Sequence, residues 1–239
     1  MSGHSKWSTI KRQKGANDAK RGLLFTKLGN AITIAAKGGP DPGFNFKLRL
    51  AMDKARAANM PQENIKRAID RAVSAASGAG FEEVTYEGYG PGKVGLIIAA
   101  ATDNRNRTLS FVKTTLDRSG GTLATQGALS WQFKQVGEIV VRLTGGDIDE
   151  LLMVAADAGA EDVIPNDEEE GTAIVQTELT QLDAVRSKLK GWEVVESRTS
   201  WKPTNTVEIS DSGVADRVLD LIEKLEDNED VQEVVSNLA

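Results

Sequence analysis

From Asn17 onward, large apolar residues recur at helical spacing: Leu24, Leu28, Ile32 and Ala35 fall on one face before Gly38-Gly39 stops the run. Pro40-Asp41-Pro42-Gly43 reads as a turn. A second helix is expected with Phe44, Leu48, Met52 and Ala55 on one face, and Asn59-Met60-Pro61 breaks it. A third follows, striped by Ile65, Ile69, Val73 and Ala76; proline near its start costs little, because first-turn amides have no helical partners. Residues 17–77 thus predict a small helical domain, closed by a Ser77-Gly78-Ala79-Gly80 linker.

Beyond residue 80 the period changes. Gly137 to Leu143 predicts a strand, and Ile148, Leu151, Leu152, Ala155 and Ala158 a helix. Val163-Ile164 and Ala173 to Val175 predict strands on either side of an acidic turn. Leu182, Val185 and Leu189 stripe a further helix, and Trp192 to Val195 begins a last strand. That order, βαββαβ, is ferredoxin-like. The flanks predict a second copy in two pieces. Val94 to Thr102, a helix with Leu109, Val112 and Leu116, and Leu129 to Phe133 form one βαβ unit. Thr206 to Ile209, a helix with Val214, Val218, Leu221, Ile222 and Leu225, and Val231 to Val235 form the other. The expected fold is α+β: an N-terminal helical domain followed by two ferredoxin-like α/β domains, one inserted in the other. The expected divisions are a basic arm and helical domain over 1–80, a discontinuous domain over 81–136 plus 204–239, and an inserted domain over 137–203.

Charge changes this picture most. Residues 1–80 carry fifteen Lys/Arg against five Asp/Glu, a net +10, whereas the remaining residues carry fourteen against thirty, a net −16. The overall −6 conceals this polarity. A basic third can meet a polyanion while the acidic remainder repels it and orients the approach. Within the basic third, residues 1–22 hold six Lys/Arg, one Asp, and only Met1, Trp7 and Ile10 as large apolar groups. Such a segment buries no core. It reads either as a solvated terminus or as an arm that grips phosphate and stacks an aromatic on a base.

Composition removes several chemistries. Without cysteine there is no disulfide, thiolate metal site or cysteine nucleophile, and the single histidine, His4, leaves no Ser-His-Asp set for a folded core. No apolar run approaches the length of a membrane span, and the N-terminus lacks the apolar segment of a signal peptide. The expected location is cytoplasmic, with no cofactor, no metal and no membrane partner. Gly88-Tyr89-Gly90-Pro91-Gly92-Lys93 is not a phosphate loop: three residues rather than four precede the Gly-Lys pair, Val94 replaces the hydroxyl residue, and a strand follows. Asp167 to Glu170 and Glu226 to Asp230 lack the ligand spacing of a calcium loop. Thr102-Asp103-Asn104-Arg105-Asn106-Arg107-Thr108 joins a strand to a helix. Asp103 suits an N-cap, and the two arginines and two asparagines equally suit contact with phosphate or a base edge. The expected sheets lack the central-strand aromatics of an RNA-recognition motif in Thr172 to Thr177 and Thr206 to Ile209.

Gly3-His4-Ser5-Lys6-Trp7-Ser8-Thr9-Ile10-Lys11 through Lys27-Leu28, Tyr86 to Gly92, and Thr102 to Thr108 together resemble the signature strings of the YebC/PmpR family. Lys93 stands where that family's pattern suggests a glycine or small residue, and Leu123 to Leu129 departs from its glycine-rich link. The resemblance implies a helical domain followed by two α/β domains, one interrupting the other. It implies a regulator of transcription in bacteria, a translational activator in mitochondria, or a factor acting on the ribosome. The expected function is a non-enzymatic nucleic-acid-binding regulator, favoured as a ribosome-associated translation factor contacting rRNA; the alternative is a DNA-binding transcriptional regulator. A nuclease ranks last, since no paired-carboxylate constellation stands out. The candidate nucleic-acid-binding residues are His4, Lys6, Trp7, Lys11, Arg12, Lys14, Lys20, Arg21, Lys27, Arg105 and Arg107.

Overall fold

The computed structural model describes residues 18–75, 80–143, 147–166 and 169–239. Three helices come first: α1 (Asp18–Ala36), α2 (Phe46–Ala57) and α3 (Gln62–Ala75). Leu28, Ile32 and Ala36 meet Leu48, Met52 and Ala55, with Met60, Ile65, Ala68 and Ala72 closing the cluster. Asn45 joins the first two helices. Its amide nitrogen donates to the carbonyls of Ala35 and Gly39, each at 2.7 Å, while its oxygen caps the amide of Leu48 at 3.0 Å. One side chain thereby satisfies orphan groups at the end of α1 and the start of α2. Phe44 precedes this cap and is 95% exposed, so it does not join the buried face expected for it; Val73, at 55%, also points outward.

Two four-stranded antiparallel sheets follow. The first contains β1 (Glu82–Tyr89), β2 (Gly95–Thr102), β3 (Thr122–Leu123) and β8 (Val231–Ser236), in the order β3-β1-β2-β8. Helices α4 (Arg105–Arg118) and α7 (Ser212–Glu226) cover one face. There Val94, Leu96 and Ile98 pack on Val112, Leu116, Val218, Leu221 and Leu225. The opposite face presents Ile97 and Val235 to Leu129 and Phe133, with Trp201 against them. The second sheet has β4 (Phe133–Arg142), β5 (Asp162–Pro165), β6 (Thr172–Glu178) and β7 (Glu193–Pro203), in the order β5-β6-β4-β7. With α5 (Ile148–Ala158) and α6 (Leu182–Lys188) it forms βαββαβ, the ferredoxin-like order expected for this segment. Its covered face holds Ile139, Val141, Leu151, Ala155, Val175 and Val185. In sequence this sheet lies wholly between β3 and α7 of the first.

The first sheet is connected differently from the expected pair of βαβ units. Glu82–Tyr89 forms the full-length strand β1, paired from Glu82↔Thr102 to Tyr89↔Gly95. Leu129 to Phe133 is a turn rather than a strand; Leu129 is fully buried there, and β4 begins only at Phe133. Thr206 to Ile209 contributes a single parallel bridge, Val207↔Leu238, while Val207 and Ile209 pack on the core as side chains. The connection is therefore ββαβ, the insertion, then αβ.

Tight backbone approaches explain the glycines of the segment after residue 86. A Cβ on Gly88 would lie 2.9 Å from Leu116 Cδ1, and one on Gly121 only 2.4 Å from the Tyr89 carbonyl oxygen. Gly92 has φ 69° and the following Lys93 φ 62°. The family-like departure at Lys93 thus places a lysine in the left-handed region that glycine occupies without steric cost.

Candidate nucleic-acid interface

His4, Lys6, Trp7, Lys11, Arg12 and Lys14 lie outside the described residues, and Lys20 enters α1 with its side chain outside them. The described part of the expected interface begins at Arg21, an exposed cation whose guanidinium lies 5.7 Å from the Phe25 ring one turn on. Lys27 is half-buried on the same helix. Further exposed cations on the helical domain are Lys37, Lys47, Arg49, Lys66 and Arg67.

Other basic residues of this domain serve as struts. Lys54 donates to Glu196 of β7 at 2.8 Å, so it faces the inserted sheet. Burial alone would push the Glu196 carboxyl up; Lys54 and Arg198 outweigh it and hold the group below its ordinary value. Arg71 of α3 donates to Asn30 Oδ1 and Thr33 Oγ1 of α1, both at 2.8 Å, and lies 4.5 Å from the Phe81 ring. Burial lowers its pKa, partly offset by Asp103. Asn30 in turn donates to the Glu229 carbonyl at 3.0 Å, tying the helical domain to the loop before β8.

That loop also occupies Arg107. Asp230 is 4% exposed, and its carboxylate accepts hydrogen bonds from Arg107 Nη2 at 2.8 and 2.9 Å and from Nε at 3.2 Å. The Thr108 hydroxyl donates to the same carboxylate at 2.8 Å. The hydrogen bond from Arg107 to Asp230 raises the arginine's pKa beyond its already high value. Asp103 accepts a further bond from Arg107 at 3.1 Å. The N-cap of α4 is Asn104, whose oxygen receives the Arg107 amide at 3.0 Å, and not Asp103 as the sequence suggested. Thr102 accepts from the Asn104 amide, 2.9 Å away, through its hydroxyl. Most of the Thr102–Thr108 string is thus held by partners within the fold. Arg105 and Asn106 are more open: both are exposed, and Arg105 makes a loose 3.6 Å approach to Glu82. The structure therefore brings Arg105 and Arg107 together at the start of α4: Arg107, half-exposed, is bound to the Asp230 carboxylate, while Arg105 is more exposed and only loosely paired.

The glycine-rich string has a similar internal role. Both Glu87 carboxylate oxygens accept backbone amides, from Gly127 at 2.6 Å and Leu129 at 2.7 Å, fixing the turn that leads into β4. Tyr86 donates its hydroxyl to the Arg105 carbonyl at 3.2 Å. Among the described residues, no group of three His, Cys, Asp or Glu side chains could hold a metal ion, and no helix is long and apolar enough to cross a membrane.

Sequence reasoning missed one set of residues that geometry draws together. Phe46 at the start of α2 lies beneath Arg49 at 5.0 Å and Arg186 of α6 at 4.1 Å. Trp192 and Val194 line the cleft beside them. Nothing in the local pattern signals this pairing, because 140 positions separate Phe46 from Arg186.

Two family models match this chain. The family model described as the TACO1/YebC protein N-terminal domain matches residues 5–75, and that of the TACO1/YebC second and third domain matches residues 81–238. A probable transcriptional regulatory protein of Chloroflexus aggregans is 52% identical over 100% of this chain and 95% of its own length. A probable transcriptional regulatory protein of Fusobacterium nucleatum is 48% identical, covering 99% of this chain and 95% of its own. The crystal structure of a conserved hypothetical protein from Aquifex aeolicus superposes with a TM-score of 0.82 at 42% identity, covering 95% of this chain and 93% of that one. With family matches spanning both the helical and the sheet-bearing parts, and relatives aligned end to end, this chain belongs to the TACO1/YebC family.

Proposed function

We propose that this protein is a non-enzymatic nucleic-acid-binding regulator of gene expression that works in the cytoplasm on the ribosome, contacting rRNA through its basic N-terminal third. The observation that carries the reading is the division of charge. The first 80 residues hold a net +10, with exposed cations on the three helices, against −16 in the rest. A basic surface backed by an acidic body binds a polyanion in one orientation. The arm adds Trp7 among Lys6, Lys11, Arg12 and Lys14, a pairing of aromatic and cation suited to unpaired bases. Within the arginine-bearing loop, Arg105 is the residue available for contact, since Arg107 is engaged by Asp230.

A DNA-binding transcriptional role is the second reading, favoured by the name probable transcriptional regulatory protein that the bacterial relatives carry. Both readings use the same phosphate neutralisation. Sedimentation of lysate through a gradient separates them: comigration with ribosomal particles supports the first, and migration at the top with retained sequence-specific duplex binding supports the second. The interface itself is tested by salt dependence. If about five phosphates are neutralised, log affinity falls against log salt with a slope of roughly −3.5 on single strands and −4.5 on duplex DNA. Equal binding by residues 81–239 alone would place the interface on the wrong surface.

A further inference from the structure

The cleft between the N-terminal helices and the inserted sheet brings together aromatic rings and cations from both units. Residues 137–203 hold fifteen acids and only six Lys/Arg, yet three of the six, Arg186, Lys188 and Lys190, fall within five positions at the end of α6. Arg186 reaches the basic helix α2, where Phe46 and Trp192, both half-buried, line a cleft of about 370 Å³ with it. That volume lies within the range of small-ligand sites, about 300–1,000 Å³. The nearby acids are engaged: Asp183 pairs with Arg186 at 3.2 Å, and Glu193 with Arg142 at 3.3 Å. Lys188 donates to the Ala158 carbonyl at 3.1 Å. Lys47 and Lys190 are exposed and have no hydrogen-bond or ion-pair partner among the described residues.

A joint that merely fastened two units would need cations only where they touch the Phe46 ring. Arg49 and Arg186 already do so. Lys47 follows Phe46 directly and Lys190 precedes Trp192 by two residues, so each adds an exposed positive charge beside a lining aromatic without serving the joint. Aromatic faces flanked by cations that track a backbone are the chemistry of single-stranded nucleic-acid sites, in which bases stack and phosphates meet Lys or Arg. We infer that this cleft is a second nucleic-acid contact. It takes an unpaired nucleotide of single-stranded or loop RNA, its base against Trp192 beside the Arg-covered Phe46 and its phosphates toward Lys47 and Lys190. This rests on the nucleic-acid-binding reading given above and adds a site remote from the arm.

The test uses the full chain and a single-stranded RNA oligonucleotide carrying 4-thiouridine, photocross-linked and mapped by peptide mass spectrometry. Cross-links are expected on the peptides bearing Phe46 or Trp192. Trp192→Ala should weaken this RNA roughly 5- to 140-fold, the equivalent of about 1–3 kcal/mol of stacking, and leave duplex binding unchanged. Because that variant can also disturb β7, Lys47→Ala/Lys190→Ala provides an independent arm. Both positions are exposed, so the fold should persist, and the salt slope should fall by roughly 1.4 if both lysines meet phosphate. Cross-links confined to residues 1–27, with an unchanged slope in the double variant, would reject the cleft while leaving the nucleic-acid reading standing. Absence of any RNA binding by the full chain would reject both. Displacement of the RNA by polyglutamate, with equal sensitivity of polyglutamate binding to Trp192→Ala, would make the cleft a site for acidic protein and overturn the inference.

Discussion

Removing Arg107 and Asp230 singly and together tests whether the arginine-bearing loop is a strut or a contact surface. The Asp230 side chain is 5% exposed and that of Arg107 50%. In Arg107→Ala the buried carboxylate keeps only the Thr108 hydroxyl. Leaving a buried charge uncompensated costs about 3–5 kcal/mol, and water entering beside this half-exposed arginine places the loss near about 3 kcal/mol. In Asp230→Ala the guanidinium rehydrates and keeps Asp103, while the Thr108 hydroxyl redirects its proton to the Asn104 carbonyl, 3.1 Å away. The loss is then that of hydrogen bonds to a charged group, about 2 kcal/mol. The double variant contains neither orphaned charge and should also lose about 2 kcal/mol, a coupling near about 3 kcal/mol, at the upper end for groups in direct contact. For a chain of this size the Arg107→Ala loss corresponds to roughly 6–12 °C in the melting transition. Thermal melts of the four proteins give the cycle, and RNA titrations of the folded fractions give the binding arm. Additive losses would refute the strut. So would an Arg107→Ala protein that melts normally and binds RNA weakly, and that outcome would return Arg107 to the interface.

Gly92→Ala should destabilise by more than the roughly 1–2 kcal/mol of a left-handed alanine, because its Cβ would also stand 2.6 Å from Ile209 Cδ1; Lys93→Gly, at φ 62°, should be neutral or raise the melt, and a large loss there would contradict the assigned backbone. Lys54→Met should remove a stabilising contact whose effect depends on pH. Glu196 is held below its ordinary value, so its contribution is full above the unfolded carboxylate pKa of about 4.3 and fades as pH falls through the lower folded value. The gap between wild-type and variant melts should therefore narrow in acid, and a gap that widens would show the sign to be wrong. Residues 133–203, expressed alone, should melt cooperatively, because they hold all four strands and both helices of the inserted sheet; a fragment begun at 137 should be weaker, having lost the Phe133 end of β4. A non-cooperative melt of the longer fragment would show that this sheet depends on its neighbours.

The helical domain was legible in the sequence because its signal is local. Stripes at helical spacing, a Pro-rich turn and a Gly-Gly stop place α1, α2 and α3 within a few residues of their observed ends. The inserted βαββαβ order was legible for the same reason, since its strands are short β-branched runs divided by amphipathic helices. Strand β1 was hidden because its inward positions are Val84, Tyr86 and Gly88, and a strand with only two large inward residues, divided by polar ones and followed by a glycine, shows no apolar run. Leu129 and Phe133 gave the opposite error: they are buried, but burial at a turn capped by Glu87 looks in sequence like a strand.

The candidate site divides along the same line between local and distant causes. Clustered charge is local, so the basic third declared itself in the composition. Whether any one arginine is free for a partner depends on which carboxylate the fold brings beside it. Arg107 and Arg105 are indistinguishable on the Thr102–Thr108 string, and an acid 123 positions away takes one and leaves the other exposed. Arg186 is the converse case. It belongs to an acidic segment that its net charge would set aside, and only the packing of α6 against α2 places it over Phe46. A charge map drawn from the sequence therefore shows neither that Arg107 is engaged by Asp230 nor that Arg186 lies over Phe46 at the α2–α6 cleft. Both contacts follow from long-range packing, so a comparison of Arg107→Ala with Lys47→Ala/Lys190→Ala measures how far folding redistributes the binding surface that composition implies.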